Sequence, residues 1–352
     1  MKRTALFLLL ISLGLFAADP NEARILQFME RYMDKKSTGT LVLEAKESGP
    51  GFTVYYARRP GPEGKGGDQQ PLIYKTAQRK IAVGDYFGLQ RLKENASDPV
   101  KLAAFLSSAF GTTVKVAFQD PKSDPVLLTI QQETGYGKVT HQGYIFGKTH
   151  FIMGRLYDLD EDMREVRMKE IQWNLGGSRG SADAPNRLAV FLDMECPHCA
   201  HVEKELLPIL KERKDIRATF FQYPLTVGHP LAFRAAAASH CFLAQSPDLF
   251  IEFLEWFYPQ RKDVDLSSID SLCYGFAEMK DLAEPFLSCY MQEPNIQSVL
   301  KVMQMAIQAG VTHTPALYYN GTAYNPADLL AMLKPAGEAA APAAAPEPEK
   351  KE

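Results

Sequence analysis

The sequence predicts an α/β domain in its C-terminal half, preceded by an α+β region, and three observations carry that prediction. An apolar run of strand length, Leu188-Ala189-Val190-Phe191-Leu192, leads into a helical pattern in which Val202, Leu206, Ile209 and Leu210 share one face. Just upstream, residues 175–185 are dense in Gly and Ser, the composition of a linker or an extended lead-in to a new domain. Ahead of that break, a helical pattern followed by several strand-like runs is written twice. A chain of 352 residues fits two or three domains better than one.

From the N-terminus, Lys2 and Arg3 precede the apolar run Ala5–Phe16, which ends at Ala17-Ala18. This is the layout of a secretory signal peptide over residues 1–18. An uncleaved membrane anchor is the alternative, although the run is shorter than the roughly 20 residues a spanning helix needs. Cleavage would remove two positive charges and take the net charge from −3 to −5. The expected location is periplasmic or secreted, or membrane-anchored if the signal stays, and in oxidising compartments disulfides persist. The chain holds 39 basic and 42 acidic residues without a basic stripe. Nucleic acid is not an expected partner, because neutralising phosphates needs clustered Lys and Arg.

The first α+β module is placed at residues 19–95. Ile25, Phe28, Met29 and Tyr32 recur at helical spacing, and strand-like runs follow at Thr40–Ala45, Phe52–Ala57, Leu72–Lys75 and Lys80–Leu89. The stretch Arg58–Pro71, rich in Gly and Pro, reads as an exposed loop. The second module, 96–175, opens with a helix around Val100–Leu106 and continues with Val114–Phe118, Val126–Gln131, Lys138–Phe146 and His150–Leu159. The closing strands match at a separation of 70 residues: Val83-Gly84 with Met153-Gly154, Phe87 with Tyr157, Leu89 with Leu159. A connecting helix is expected within Asp160–Asn174. At the far end, residues 335–352 contain only small or polar residues and read as a disordered tail.

The chemistry is carried by Cys196-Pro197-His198-Cys199, which sits between the apolar strand and the helix. A strand feeding Cys-x-x-Cys at a helix start is the setting of a redox motif. In the first helical turn, unpaired N–H groups and the helix dipole stabilise an anion, so Cys196 ionises readily, and the thiolate is the attacking species. The two-residue spacing lets Cys199 resolve a mixed disulfide. Pro197 loses nothing at a helix start, and His198 adds a donor or partial positive charge; both favour the reduced form. A structural disulfide over this spacing is strained. Zinc would need two further ligands, and no second Cys-x-x-Cys exists; c-type haem would need His at position 200, which is Ala200. No metal and no cofactor are therefore expected.

These residues resemble the active site of DsbA-like proteins of the thioredoxin superfamily. The resemblance implies an α/β thioredoxin-like fold over 183–334, with a helical insertion at 231–310 after the strand Ile216–Tyr223. Val311-Thr312-His313-Thr314-Pro315 then resembles the family's cis-proline loop, which binds substrate backbone beside the cysteines; Thr314 and Pro315 take those places. Asn320-Gly321 is a hairpin turn signal, and Pro326–Leu333 a last helix. Glu203, four residues beyond Cys199, lies on the same helix side. It is either a proton carrier for Cys199, as an acidic residue is in similar proteins, or a solvated surface carboxylate. Of the remaining cysteines, Cys241 and Cys289 are the pair that similar insertions would bond, leaving Cys273 as a free thiol. Pairing of Cys273 with Cys289, or no second disulfide, stays open, since sequence does not fix connectivity.

The front region divides the functional expectation. Cys-Pro-His-Cys favours an oxidoreductase that exchanges disulfides with cysteine-containing exported proteins and is reset by a membrane redox partner. An α+β region ahead of such a domain, ending in His150–Asp158, resembles the DsbC and DsbG isomerases, whose cystatin-like N-terminal domains dimerise. That resemblance implies an isomerase or reductase and a homodimer through the N-terminal region, with two cystatin-like modules where those enzymes carry one. A binding or scaffold protein is the non-enzymatic alternative.

Overall fold

The computed structural model describes residues 20–35, 39–60, 67–89 and 98–334. The expected signal peptide, 1–18, and the expected tail, 335–352, lie outside the described residues.

The front region starts with helix α1, Pro20–Tyr32, whose Ile25, Phe28, Met29 and Tyr32 are buried on one face. Four strands follow as an antiparallel meander: β1 Val42–Gly49, β2 Phe52–Pro60, β3 Gly67–Lys75 and β4 Lys80–Gly88. Then the pattern repeats. Helix α2, Pro99–Phe110, is opened by Asp98, whose carboxylate accepts from the N–H groups of Val100 and Lys101, and by Pro99 at its first position. A second meander follows: β5 Val114–Phe118, β6 Val126–Glu133, β7 Lys138–Phe146 and β8 His150–Asp158. All eight strands form one sheet in the order β1-β2-β3-β4-β8-β7-β6-β5, so the two meanders meet through their last strands.

The register at that seam pairs Lys80 with Asp158 and runs to Gly88 with His150. Gly84 therefore faces Gly154, its own counterpart 70 residues along the chain. A local two-fold axis relating the meanders runs through this pair. The backbones are close here: a Cβ on Gly84 would lie 2.0 Å from the Met153 carbonyl oxygen, and one on Gly154 2.0 Å from that of Val83. Glycine is required at both positions by close approach.

Of the stretch read as a loop from Arg58 to Pro71, the described residues 58–60 and 67–71 are paired strand, and 61–66 lie outside the described residues. Arg58 opposes Gln69, Arg59 opposes Asp68, and Pro60 opposes Gly67. Polar residues hold strand conformation because Arg59 is buried and paired: it donates to the Asp34 carbonyl at 2.5 Å and to the Glu30 carboxylate.

Helix α3, Met163–Glu170, links the front sheet to the second domain. That domain has a five-stranded sheet of order β13-β12-β10-β11-β9. Its strands are β9 Gly177–Arg179, β10 Asn186–Leu192, β11 Ile216–Gln222, β12 Ala316–Tyr319 and β13 Thr322–Tyr324. β10 and β11 run parallel around helix α4, Pro197–Glu212; the other pairs are antiparallel. Five helices fill the stretch between β11 and β12: α5 Ala232–Gln245, α6 Pro247–Phe257, α7 Ile269–Met279, α8 Ala283–Cys289 and α9 Glu293–Gln308. Helix α10, Pro326–Leu333, is the last element among the described residues. This is the thioredoxin-like fold with its helical insertion. Leu188, Val190 and Leu192 on β10 face one core with α4 and α6, while Ala189 and Phe191 face another with α9.

The Gly-Ser break is not a spacer. It contains edge strand β9, paired to β11 ahead of the expected domain start at 183. Its glycines serve contact: a Cβ on Gly177 would lie 2.2 Å from the ring of Phe250.

The two domains pack directly. Tyr136 stacks on Phe233 with centroids 4.0 Å apart, and the Gln304 side chain exchanges hydrogen bonds with the Thr140 backbone, both 2.9 Å. Lys35 bridges to β13 through Lys35 N to Ala323 O and Asn325 N to Lys35 O. At the junction lies Arg167, only 2% exposed, donating to the carbonyls of Arg31, Tyr32 and Gly321 and lying over the Tyr318 ring. One guanidinium thereby joins the end of α1, the linking helix and the β12–β13 turn.

Gly84→Ala is expected to lower the unfolding free energy by about 3 kcal/mol, since overfilling a closed contact costs this order. Urea unfolding would measure it, and an unchanged midpoint would show that the seam tolerates a side chain.

Candidate active site

Strand β10 ends at Leu192, and the chain turns through Asp193, Met194 and Glu195 before α4 begins. Cys196 occupies the N-cap and Pro197 the first helical position. This places Cys196 at the electropositive end of a 16-residue helix and Cys199 within its first turn. Cys196 is 5% exposed and Cys199 fully buried. Pro197 and His198 are exposed beside them.

The two thiols are driven apart in acidity. Cys196 is lowered to about 6, first by a hydrogen bond from Cys199, with burial opposing; the backbone N–H groups of Cys199 and His198 and the nearby Thr314 add to the lowering. Burial pushes Cys199 well up, and the neighbouring Cys196 sulfur pushes it further. The Asp193 N–H donates to Cys199 Sγ at 3.3 Å.

The Thr314–Pro315 peptide is cis, and the Thr314 carbonyl lies 3.7 Å from Cys196 Sγ. Thr314 and Pro315, more than a hundred residues from the cysteines in sequence, thus stand against them in space. Asn320 and Gly321 both take positive φ in the turn that follows β12, which fixes that loop's exit.

Glu203 is not a solvated surface residue: it is 4% exposed, and its Oε1 has no hydrogen-bond partner among the described residues. Burial, then repulsion from Glu255, raises its carboxyl to about 7. Cys241 and Cys289 form a disulfide linking α5 to the end of α8, with Cα atoms 5.8 Å apart. Cys273 is a buried free thiol that burial pushes far up, so it lacks the thiolate needed to react. Among the described residues, no group of His, Cys, Asp and Glu is arranged to hold a metal ion.

Two residues escaped the sequence reading. Asp193 is fully buried, and its Oδ1 accepts from the N–H groups of Glu195 and Cys196, at 2.8 and 3.2 Å. Its Oδ2 accepts from Leu225 N at 2.7 Å and lies 2.9 Å from His229 Nδ1. An acidic residue directly after an apolar strand was the available signal for Asp193; His229 sits in a loop with none.

The site opens on a cleft of about 560 Å³ between the domains, lined by His198, His201, His313 and Pro315 on one side and by Asp34 and Gln70 on the other. A second cleft of about 530 Å³ adjoins it along the sheet seam, sharing Tyr32, Gly310 and Thr312.

Residues 176–334 match the family model described as Thioredoxin. The chain is 24% identical over 179 residues to a probable disulfide bond formation protein D of Bacillus anthracis, covering 49% of this chain and 82% of that one. The Bacillus cereus protein of the same name is 24% identical over 178 residues, covering 48% and 82%. Among solved structures, BdbD from Bacillus subtilis in its oxidised form is similar at 21% identity over 45% of this chain and 91% of that one, with a TM-score of 0.39. The catalytic domain of Proteus mirabilis ScsC is similar at 16% identity over 48% and 95%, with a TM-score of 0.41.

In the reduced protein, thiolate absorbance at 240 nm should rise with a midpoint near pH 6 for one sulfur only. Cys199→Ala should move that midpoint upward, because it removes the first donor to the Cys196 sulfur. The lowered acidity also carries a stability consequence for the reduced form. Its stability should rise as pH increases through 6 toward the unfolded thiol value near 9, and be lost as pH falls through 6.

Proposed function

We propose that this chain, whose residues 176–334 belong to the thioredoxin superfamily, is an exported thiol–disulfide oxidoreductase acting on cysteine-containing exported proteins. The observation that carries the reading is the placement of the pair: Cys196 on the helix cap, its thiol lowered to about 6, with fully buried Cys199 one turn in and the cis Thr314–Pro315 loop against Cys196 Sγ. Cys196 would attack or be attacked by substrate sulfur, and Cys199 would resolve the mixed disulfide. A membrane redox partner would return the pair to its working state. The relatives named as disulfide bond formation proteins support this reaction class. Among the described residues, no helix is long and apolar enough to cross a membrane.

Each side chain at the site has a part in this reading. The reduced state gains from the ionised Cys196 sulfur, so the disulfide is the more oxidising. His198 and Pro197, both exposed, would tune that balance where substrate arrives. Thr314 and Pro315 would seat the substrate backbone against Cys196. Glu203, buried on the Cys199 side of the helix, would take the proton of Cys199 as it becomes nucleophilic and return it afterwards.

A second reading, isomerase or reductase, is favoured by the cleft that faces the redox centre across the front sheet. For the oligomeric state the sheet favours a monomer. The β4 and β8 edges are consumed inside one chain, and a homodimer through this region would have to use the outer strands β1 or β5.

Cys196→Ser should abolish both oxidation of a reduced unfolded substrate and refolding of a scrambled one. Comparing the two rates in the wild-type protein separates oxidase from isomerase, and activity retained in Cys196→Ser would sink the enzymatic reading. Glu203→Gln should slow resolution by roughly tenfold or more. It should also stabilise the fold at high pH. A carboxyl raised to about 7 costs stability as pH climbs from its unfolded value near 4.5 through 7, so the variant's advantage should grow over that window to about 3 kcal/mol and then level off.

A further inference from the structure

The loop that presents Cys196 is held by groups the exchange chemistry does not use. Asp193 sits inside the protein with both carboxylate oxygens engaged: Oδ1 by the N–H groups of Glu195 and Cys196, Oδ2 by Leu225 N, with His229 Nδ1 at ion-pair distance from Oδ2. Its backbone also meets both cysteines, accepting from Cys196 N at 3.2 Å and donating to Cys199 Sγ at 3.3 Å. Tyr258, at the end of α6, donates to the same carbonyl at 3.3 Å. Glu195 repeats the pattern on the other side of the loop, its carboxylate accepting from Leu231 N at 2.8 Å. Two carboxylates therefore staple the redox loop to the 224–231 connection, and they do so beside a sulfur that works as an anion.

Placing two carboxylates near a thiolate is electrostatically unfavourable, more so with one of them fully desolvated. A positive group nearby would offset this, and His229 on the connection is the side chain placed to supply it. His229 sits where its Nδ1 is 2.9 Å from Asp193 Oδ2, and its ring is 27% exposed. It is fixed from behind by its own backbone, His229 N donating to Leu225 O at 3.0 Å and Ala232 N donating to His229 O at 3.3 Å.

We propose that His229 is a positioning residue of the redox centre: set 2.9 Å from Asp193, it helps hold the loop that carries Cys196 and supplies the counter-charge that lets two carboxylates and a thiolate share that loop. The proposal rests on the oxidoreductase reading above. Burial alone would lower the His229 pKa, but Asp193, Glu195 and Cys196 act together to raise it, so each of the three favours the charged ring. By reciprocity the charged ring favours the Cys196 thiolate.

The test is made on the full chain with His229→Ala and His229→Gln. Gln keeps an amide that can meet Asp193 without bringing charge, so it carries the test if Ala does not fold. In both variants the Cys196 thiolate midpoint, read at 240 nm, should rise by about one unit. The equilibrium with glutathione at pH 8 should shift roughly tenfold toward the disulfide form, since ionisation of Cys196 then stabilises the reduced state about tenfold less. A lowered unfolding midpoint with both readouts unchanged would show that His229 is only structural and overturn the proposal. A wild-type Cys196 that itself titrates near 9 would instead overturn the oxidoreductase reading.

Discussion

The structure depends first on the antiparallel pairing of β4 with β8. Without it, each four-stranded meander would end on an unpaired edge; with it, eight strands form one continuous surface. The pairing sets a steric condition at its centre, where Gly84 and Gly154 leave no room for a side chain. Everything downstream is docked to that surface. Gln304 reads the Thr140 backbone as a neighbouring strand would, and Arg167 ties the end of α1 to the β12–β13 turn. The redox domain is thus set against a face made by both meanders.

Within the redox domain, one helix end gives two neighbouring sulfurs opposite characters. Cys196, at the cap, has its charge stabilised first by the hydrogen bond from Cys199 and then by the free N–H groups of the first turn, while burial of Cys199, one turn further in, outweighs the N–H of Asp193 that reaches it. Position along a single turn decides which sulfur is ionised. The cis-proline loop brings the Thr314 carbonyl from the other side, where it accepts from the protonated Cys196 thiol, so the sulfur is approached by two segments that only the folded sheet brings together.

Much of this was legible because it was local. The apolar run at 188–192, the cysteine spacing and the helical face after it are short-range patterns, and so are the strand limits of Val114–Phe118 and Lys138–Phe146. What could not be read depended on partners far away in sequence. Arg58 and Arg59 looked like loop residues because the carboxylate that neutralises Arg59 belongs to Glu30, in α1. Gly176 and Gly177 looked like a flexible joint because the rings and backbone they touch come from β11 and α6. Glu203 had two readings until the helix was packed, and its burial removes the solvated one. Asp193 and Arg167 act through backbone atoms of other segments, which no side-chain motif announces.

The seam has one more consequence, concerning how the two halves can differ. In an assembly of identical chains, every substitution appears on both sides of the axis. Here the counterparts are separate codons, and at the position next to the central glycines they have opposite signs: Asp85 in the first meander, Arg155 in the second. Both line the cleft beside the seam, and Arg155 reaches across to Glu170 and to the Gln308 carbonyl. The repeat has thereby lost its symmetry of charge, with an acid at one counterpart and a base held by Glu170 at the other. An elongated guest lying across it would meet different electrostatics at its two ends, a directionality that a symmetric pair of subunits could not encode.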